Sequence, residues 1–463
     1  MNKESEMSKN TMIMKREALE ISKGLLAFIE KCPNSYFAVK EIRERLLAEG
    51  FTEIREGEPL EPAAGKRCFV TRGGSSLIAF MLPDNSDETG FQIFASHLDS
   101  PMFKIKYMAE EKNSGYIRLN TEKYGGMILS SWMDRPLGIA GRIAVRTDSG
   151  MTVKLVNPTR DLLIIPSLAI HMTKDMPIEE LNPQKDMLPL FAQSADVCND
   201  SMEQQGMLRS LIANEAGVAA EDILDADLFV YNRMKGTILG ADQEFIASPR
   251  LDDLQCSYAG LEGFLKAQAP QAIPVLALFD NEEVGSRTKQ GAGSTFLADT
   301  LSFINESLGG DHASYLRRLQ QSFVISADNA HSVHPAHSDK ADPTNRPVMN
   351  KGIVVKYNAA QKYTTDAISS GIFRVLAERA GVPLQSFANR SDKKGGSTLG
   401  NILDCSVPVH TVDIGLPQLA MHSAYETAGV LDTWYLEKTA QLYFTSRIIP
   451  DGQEGYKILC RNE

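Results

Sequence analysis

IPVLALF, Ile273–Phe279, runs without a break into DNEEVGS, Asp280–Ser286. An unbroken apolar run of this length reads as a strand buried in a sheet. It stops at Asp280, and Glu282 and Glu283 follow at once. Working outward, the same texture repeats. LDDLQCSYAGLEGFLKA before it and TTDAISSGIFRVLAERAG after it have helical spacing, and QSFVISAD and VPVHTVDIG read as further strands. Towards the N-terminus, NSYFAVKEIRERLLAEGF predicts a helix with Ser35 as N-cap and Gly50 as its stop. KRCFVTRG, SSLIAFML and GFQIFAS predict strands, the last delivering SHLDSP at its end. Such alternation implies an α/β fold with a mixed, largely parallel central sheet covered by helices.

Between Lys106 and Ala241 the texture changes. Short alternating runs (YIRLNTE, GRIAVRT, MTVKLVN) and polar turns predict a β-rich insert, with KDMPIEELNPQKDMLPLFAQSADVCND as a long flexible crossing. The expected organisation is residues 1–105 and 242–463 as two parts of one α/β domain, interrupted by residues 106–241. A chain of 463 residues is long enough for more than one core.

The formal net charge of −11 argues against a nucleic-acid or anionic-membrane partner, which needs a basic face. No apolar run approaches the length of a membrane span, and the polar N-terminus carries no secretory signal pattern. The six cysteines are scattered without a C-x-x-C pair, which predicts reduced thiols, a cytosolic setting and no cysteine-built metal site.

In open α/β sheets, sites form beyond the carboxyl ends of the strands. His97 and Asp99 follow FQIFA. Asp280, Glu282 and Glu283 follow IPVLALF. Asp328, His331 and His334 follow FVISA, and His422 follows the VPVHTVDIG strand and a loop. Asp252 and Asp253 open a helix. Histidine with carboxylate and no cysteine is the donor set of zinc, manganese or cobalt hydrolase sites. Each residue alone has a plainer reading: a structural histidine, first-turn acids complementing a helix dipole, solvated loop glutamates. Coincidence at four strand ends is what favours the joint reading. Adjacent glutamates point apart, so one can hold a metal while its neighbour faces substrate and takes a proton from water. GGST and GAGST lack the lysine of a P-loop, and there is no G-x-S-x-G elbow.

SHLDSP, SPRLDD, DNEEVGS, ISADNAHSVHP and QLAMHS, in this order, resemble the aspartyl aminopeptidase and yeast aminopeptidase I family of zinc aminopeptidases. The resemblance runs from NSYFAV to LAMHSAYETAG. It implies a phosphorylase/hydrolase-like catalytic domain, interrupted by a β-rich dimerisation domain, with dimers assembling into a tetrahedral dodecamer. It implies two divalent ions, Zn2+ foremost, with Mn2+ or Co2+ as alternatives. His97 and Asp328 would hold one ion, Glu283 and His422 the other, and Asp252 would bridge them. Glu282 would be the general base, and Asp99 would orient His97. His171 of LAIHM would enter the neighbouring subunit's site. Lys356 of GIVVKYN would lie in the pocket for the first side chain, its plainer reading being an exposed strand-edge lysine. His331 and His334 would contribute near the substrate. Leu98, Ser167 and the SDKKGGSTLG loop depart from the pattern of some relatives, which leaves acidic and neutral N-terminal residues both open.

The expected activity is therefore removal of the N-terminal residue from peptides with a free α-amine, in the cytoplasm. The alternatives are a related dinuclear exopeptidase or deacylase of another family, and a non-catalytic oligomeric assembly protein.

Overall fold

The computed structural model describes residues 3–460 except 62, 64, 85–88, 173–180, 195–205 and 453–454, with side chains from residue 12 onward. The Ile273–Phe279 strand lies inside a nine-stranded sheet. Its parallel neighbour is Phe91–His97, followed by Phe323–Ala327 and His410–Gly415, all running the same way. Antiparallel strands flank this group, Ser76–Met81 on one side and Ile353–Tyr357 on the other, so the sheet is mixed.

Alternate residues of the opening stretch face opposite ways. Leu276 and Leu278 pack with Leu254, Leu261 and Phe264 of the Leu251–Lys266 helix and with Leu436 and Tyr443 of the Val430–Thr445 helix. Val275, Ala277 and Phe279 join Phe296, Leu301 and Ile304 of the Phe296–Ser307 helix. A strand covered on both faces has no polar positions to offer, which is why IPVLALF is unbroken.

A second sheet of six strands is antiparallel throughout, in the order Gly150–Val156, Leu137–Thr147, Ile223–Asn232, Met102–Asn113, Tyr116–Tyr124, Leu190–Gln193. It has its own core, with Phe103, Leu119, Trp132, Ile139 and Val230 at its centre. Its strands start at Met102, before the expected change at Lys106, because the alternation begins directly after Pro101. Thr237–Leu239, expected within the insert, pairs instead with Phe245–Ser248 in a third sheet that also holds Glu426–Gly429, Pro417–Leu419 and Ala330–His331.

Two local expectations are corrected. The cap of the Ser35–Ala48 helix is Asn34, whose side chain accepts from the Phe37 amide, and not Ser35. Of the expected flexible crossing, residues 174–180 and 195–200 lie outside the described residues. Its middle is ordered, and Leu190–Gln193 forms the sheet's edge strand against Tyr116–Arg118. Among the described residues, no helix is long and apolar enough to cross a membrane.

Candidate metal centre

The parallel strands end at one place, and their last residues meet there. His97 closes Phe91–His97, Glu282 and Glu283 follow Ile273–Phe279, and Asp328 follows Phe323–Ala327. His422 arrives on the turn after Pro417–Leu419. Asp252 enters from the first turn of the Leu251–Lys266 helix. That turn is not regular helix at Asp252 and Asp253, and both side chains are buried, at 3% and 0% exposure. The dipole-complementing reading of this pair therefore fails: a first-turn acid serving the dipole has no need of burial.

Two groups of donor atoms form and share Asp252. In the first, His97 Nε2 stands 3.4 Å from Asp252 Oδ1 and 3.9 Å from Asp328 Oδ1. In the second, His422 Nε2 stands 3.7 Å from Asp252 Oδ2 and 3.4 Å from Glu283 Oε2. Each oxygen of Asp252 thus serves a different group. Asp253 lies within reach of the first, but its oxygens are already engaged by Ser96 Oγ and the Asn329 amide.

Asp99 organises the approach. The His97 Nδ1 faces the Asp99 backbone oxygen at 3.1 Å and its carboxylate at 3.4 Å, which turns Nε2 towards Asp252 and Asp328. The same carboxylate accepts from the amides of Glu282 and Glu283, each at 3.1 Å, and from the Tyr124 hydroxyl at 2.7 Å. Both glutamate backbones are thereby fixed while their side chains diverge. Glu283 turns to Asp252 and His422, and Glu282 lines the open cavity.

So many buried carboxyl groups cannot all ionise unaided. Burial first, and then the Asp252 charge, push Glu283 well above the usual carboxylate range. Burial lifts Glu282 to about 8, with Asp328, Asp99 and Asp252 adding and His97 opposing. Burial alone would lower His97, but its bonds to Asp252, Asp328 and Asp99 raise it well above its ordinary value. Asp252 Oδ1 and Glu283 Oε1 are buried without a hydrogen-bond partner. Orphaned carboxyl oxygens clustered with imidazole nitrogens are the mark of a site built for a divalent cation, and the donor set fits zinc.

The sequence profile of the family described as aminopeptidase I zinc metalloprotease (M18) matches residues 28–444. The chain belongs to the M18 aminopeptidase family. "Probable M18 family aminopeptidase 2" of Clostridium acetobutylicum is 46% identical over 436 residues, covering 93% of this chain and 100% of that protein. The protein of the same name from Pseudomonas aeruginosa strain UCBPP-PA14 is 37% identical, covering 93% and 99%. Among solved structures, a chain in the Ape4 and Nbr1 complex superposes with a TM-score of 0.89 at 33% identity, over 93% of this chain and 86% of that one. The mApe1 dodecamer of S. cerevisiae superposes with a TM-score of 0.78 at 27% identity, over 91% and 95%.

In this M18 aminopeptidase Asp252, Glu283, Asp328 and His422 of the two donor groups floor a cavity of about 310 Å³. Lys356, Tyr363, Phe387, His331, Met421 and the Gly396–Thr398 loop form its walls. Lys356 is not a strand-edge residue in solvent: it is 3% exposed, and its Nζ donates to the Asn329 backbone oxygen at 2.8 Å and lies 3.5 Å from Asp328 Oδ2. The Lys356 charge, set against burial, holds Asp328 down at about 2.

His334 is not brought to this cavity. It is exposed, accepts from the Ala336 amide and faces the ring of His337, since its loop leaves the sheet after Ala330–His331. His171 is also exposed, on the short turn Ile170–Met172, with Leu168, Ile170 and Met172 exposed beside it.

Several contributors carry no sequence signal of their own. Tyr124 holds Asp99, and Gly125 passes so close to Glu283 that a Cβ there would sit 3.0 Å from the Glu283 Cβ. The Ile128 amide donates to the His422 backbone oxygen at 3.0 Å. Strand Tyr116–Tyr124 of the second sheet thus leads into a loop that braces the second donor group. Glu426 is buried beneath both groups, four residues after His422.

Proposed function

We propose that this M18 aminopeptidase is dinuclear, with Asp252 bridging two divalent ions, His97 and Asp328 completing one position and Glu283 and His422 the other. The observation that carries this is the division of Asp252, whose two oxygens face two different imidazoles. Asp99 positions His97. When bound, the ions, zinc foremost and manganese or cobalt as alternatives, polarise the scissile carbonyl and lower the pKa of the attacking water.

The chain's own groups do the rest. The buried carboxylates of the floor hold the free α-amine of the substrate, so only terminal residues fit. Glu282 takes the proton of the attacking water and returns it to the leaving amine. Lys356 and His331 line the space for the first side chain, which can be acidic or neutral because the Lys356 charge already faces Asp328.

The second sheet would serve as a dimerisation module, its strands from Met102 to Asn232 forming one domain between the two parts of the catalytic domain. Exposed Leu168, Ile170 and Met172 give His171 an apolar arm suited to cover by a neighbouring subunit, where the imidazole would stabilise the developing oxyanion. The assembly would be a tetrahedral dodecamer of dimers, working in the cytoplasm; the solved S. cerevisiae mApe1 is a dodecamer.

A panel of aminoacyl reporters (Asp, Glu, Leu and Met, each free and N-acetylated), with zinc, manganese and cobalt added back in turn, tests this reading. Cleavage of free and not acetylated substrates is expected. Equal cleavage of both would contradict it. The same panel on His171→Ala is expected to show kcat at least about 10²-fold lower with metal content unchanged. Full activity would remove the arm's role.

A further inference from the structure

Glu426 reaches two segments that the sequence keeps far apart. It stands on the Glu426–Gly429 strand of the third sheet and is 2% exposed. Its Oε2 accepts from the Asp252 amide at 3.1 Å, and its Oε1 accepts from the His422 amide at 2.8 Å. One carboxylate therefore spans the start of the Leu251–Lys266 helix and the turn that carries His422.

We infer that Glu426 is a positioning residue that sets the second metal position, fixing His422 against Asp252 and Glu283. This rests on the dinuclear reading above. The argument is one of unequal dependence. His97 is held at the end of its strand and by Asp99, and the Asp328 amide is held by the Ile414 carbonyl at 3.1 Å while its side chain faces Lys356. Neither needs Glu426, and Asp252, which both positions share, keeps a second hold through the Ser100 hydroxyl, which donates to its backbone oxygen at 2.7 Å. His422 has a left-handed backbone, φ 65°, which a residue with a side chain adopts only when its surroundings require it. Its carbonyl is held by Ile128 and its amide by Glu426. Without Glu426, the His422 amide loses its acceptor, while the neighbouring Ser423 and Ala424 amides keep theirs on Ala420 and Ser131, and the 3.7 Å approach of His422 to Asp252 loses that support.

The chemistry of the carboxylate is also specific. The two amides approach different oxygens of Glu426, so both oxygens must be able to accept. Glutamine offers one, because its amide nitrogen cannot accept, and alanine offers none.

The test measures metal binding itself. Metal-free wild type, Glu426→Gln and Glu426→Ala are titrated with Co2+, following stoichiometry and the visible absorption of the bound ion. Asp432→Asn is the control, since Asp432 is an equally buried carboxylate that grips two amides, Asn350 at 2.7 Å and Gly352 at 3.3 Å, away from the metal groups. Wild type and Asp432→Asn are expected to bind two ions per chain, even if the control melts at a lower temperature. Glu426→Gln is expected to bind the first ion with wild-type affinity and the second about 10- to 100-fold more weakly, with the spectrum of the second altered. Glu426→Ala is expected to keep only the first; should it not fold, the glutamine variant carries the test. Two ions at wild-type affinity in Glu426→Gln, equal weakening of both ions, or the same selective loss in Asp432→Asn would overturn the assignment. A single ion in wild type would instead sink the dinuclear reading, and the Glu426 role with it.

Discussion

Glu282→Gln is expected to lower kcat by about 10²- to 10⁴-fold, the range spanned by a positioned general base, while metal content and Tm stay at wild-type values. The expectation follows from how the two glutamates are separated. Asp99 pins both amides, yet only Glu283 turns to Asp252 and His422, while Glu282 faces the cavity. An amide keeps the shape and the hydrogen-bonding reach but cannot take a proton. The loss should fall on kcat more than on KM, because the proton transfer belongs to the chemical step. A variant that has lost metal as well as turnover would show that Glu282 is a ligand. Normal turnover would remove the base assignment.

Asp252→Ala is expected to have the larger effect: loss of both ions and of measurable activity. Each position would be left with two protein donors, His97 with Asp328 and Glu283 with His422, fewer than the three that catalytic zinc sites use. The accompanying stability change has a diagnostic sign. Asp252 adds negative charge to a crowd of buried carboxyl groups, and its charge helps to push up Glu283 and Glu426. Removing it relieves that crowding but also strips His97 of a hydrogen-bond partner, so the diagnostic comparison is the shift on chelation and not the metal-free Tm. Chelation should lower Tm in wild type, where bound ions stabilise the fold by mass action, and leave the variant unmoved. A variant that retains one tightly bound ion would show that Asp252 serves one position and does not bridge.

Much of this arrangement is written locally. The unbroken Ile273–Phe279 run announces a strand covered on both sides, and the groups just beyond it and beyond Phe91–Ala95 and Phe323–Ala327 can be picked out because strand ends in such sheets converge. Asp252 and Asp253 were ambiguous for a physical reason: a first-turn acid looks the same in sequence whether it faces solvent or the core. Burial decides between the two, and burial is a property of the whole fold. Glu426 was illegible because its work is done through the backbone amides of Asp252 and His422, which any residue type would present. The same holds for Asn34, which caps through the Phe37 amide, and for Leu190–Gln193, whose strand is held by the distant edges of Tyr116–Arg118 and Ile164. His334 misled in the opposite way. It shares a motif with Asp328 and His331, but the chain turns outward after His331, so closeness in sequence did not become closeness in space.

The central claim is that one buried aspartate joins two cation positions. Anomalous diffraction from zinc-loaded crystals, collected on both sides of the zinc absorption edge, addresses it directly. Two peaks per chain are predicted, one among His97, Asp252 and Asp328 and one among Asp252, Glu283 and His422. A single peak, or a second peak that Asp252 does not touch, would contradict the account.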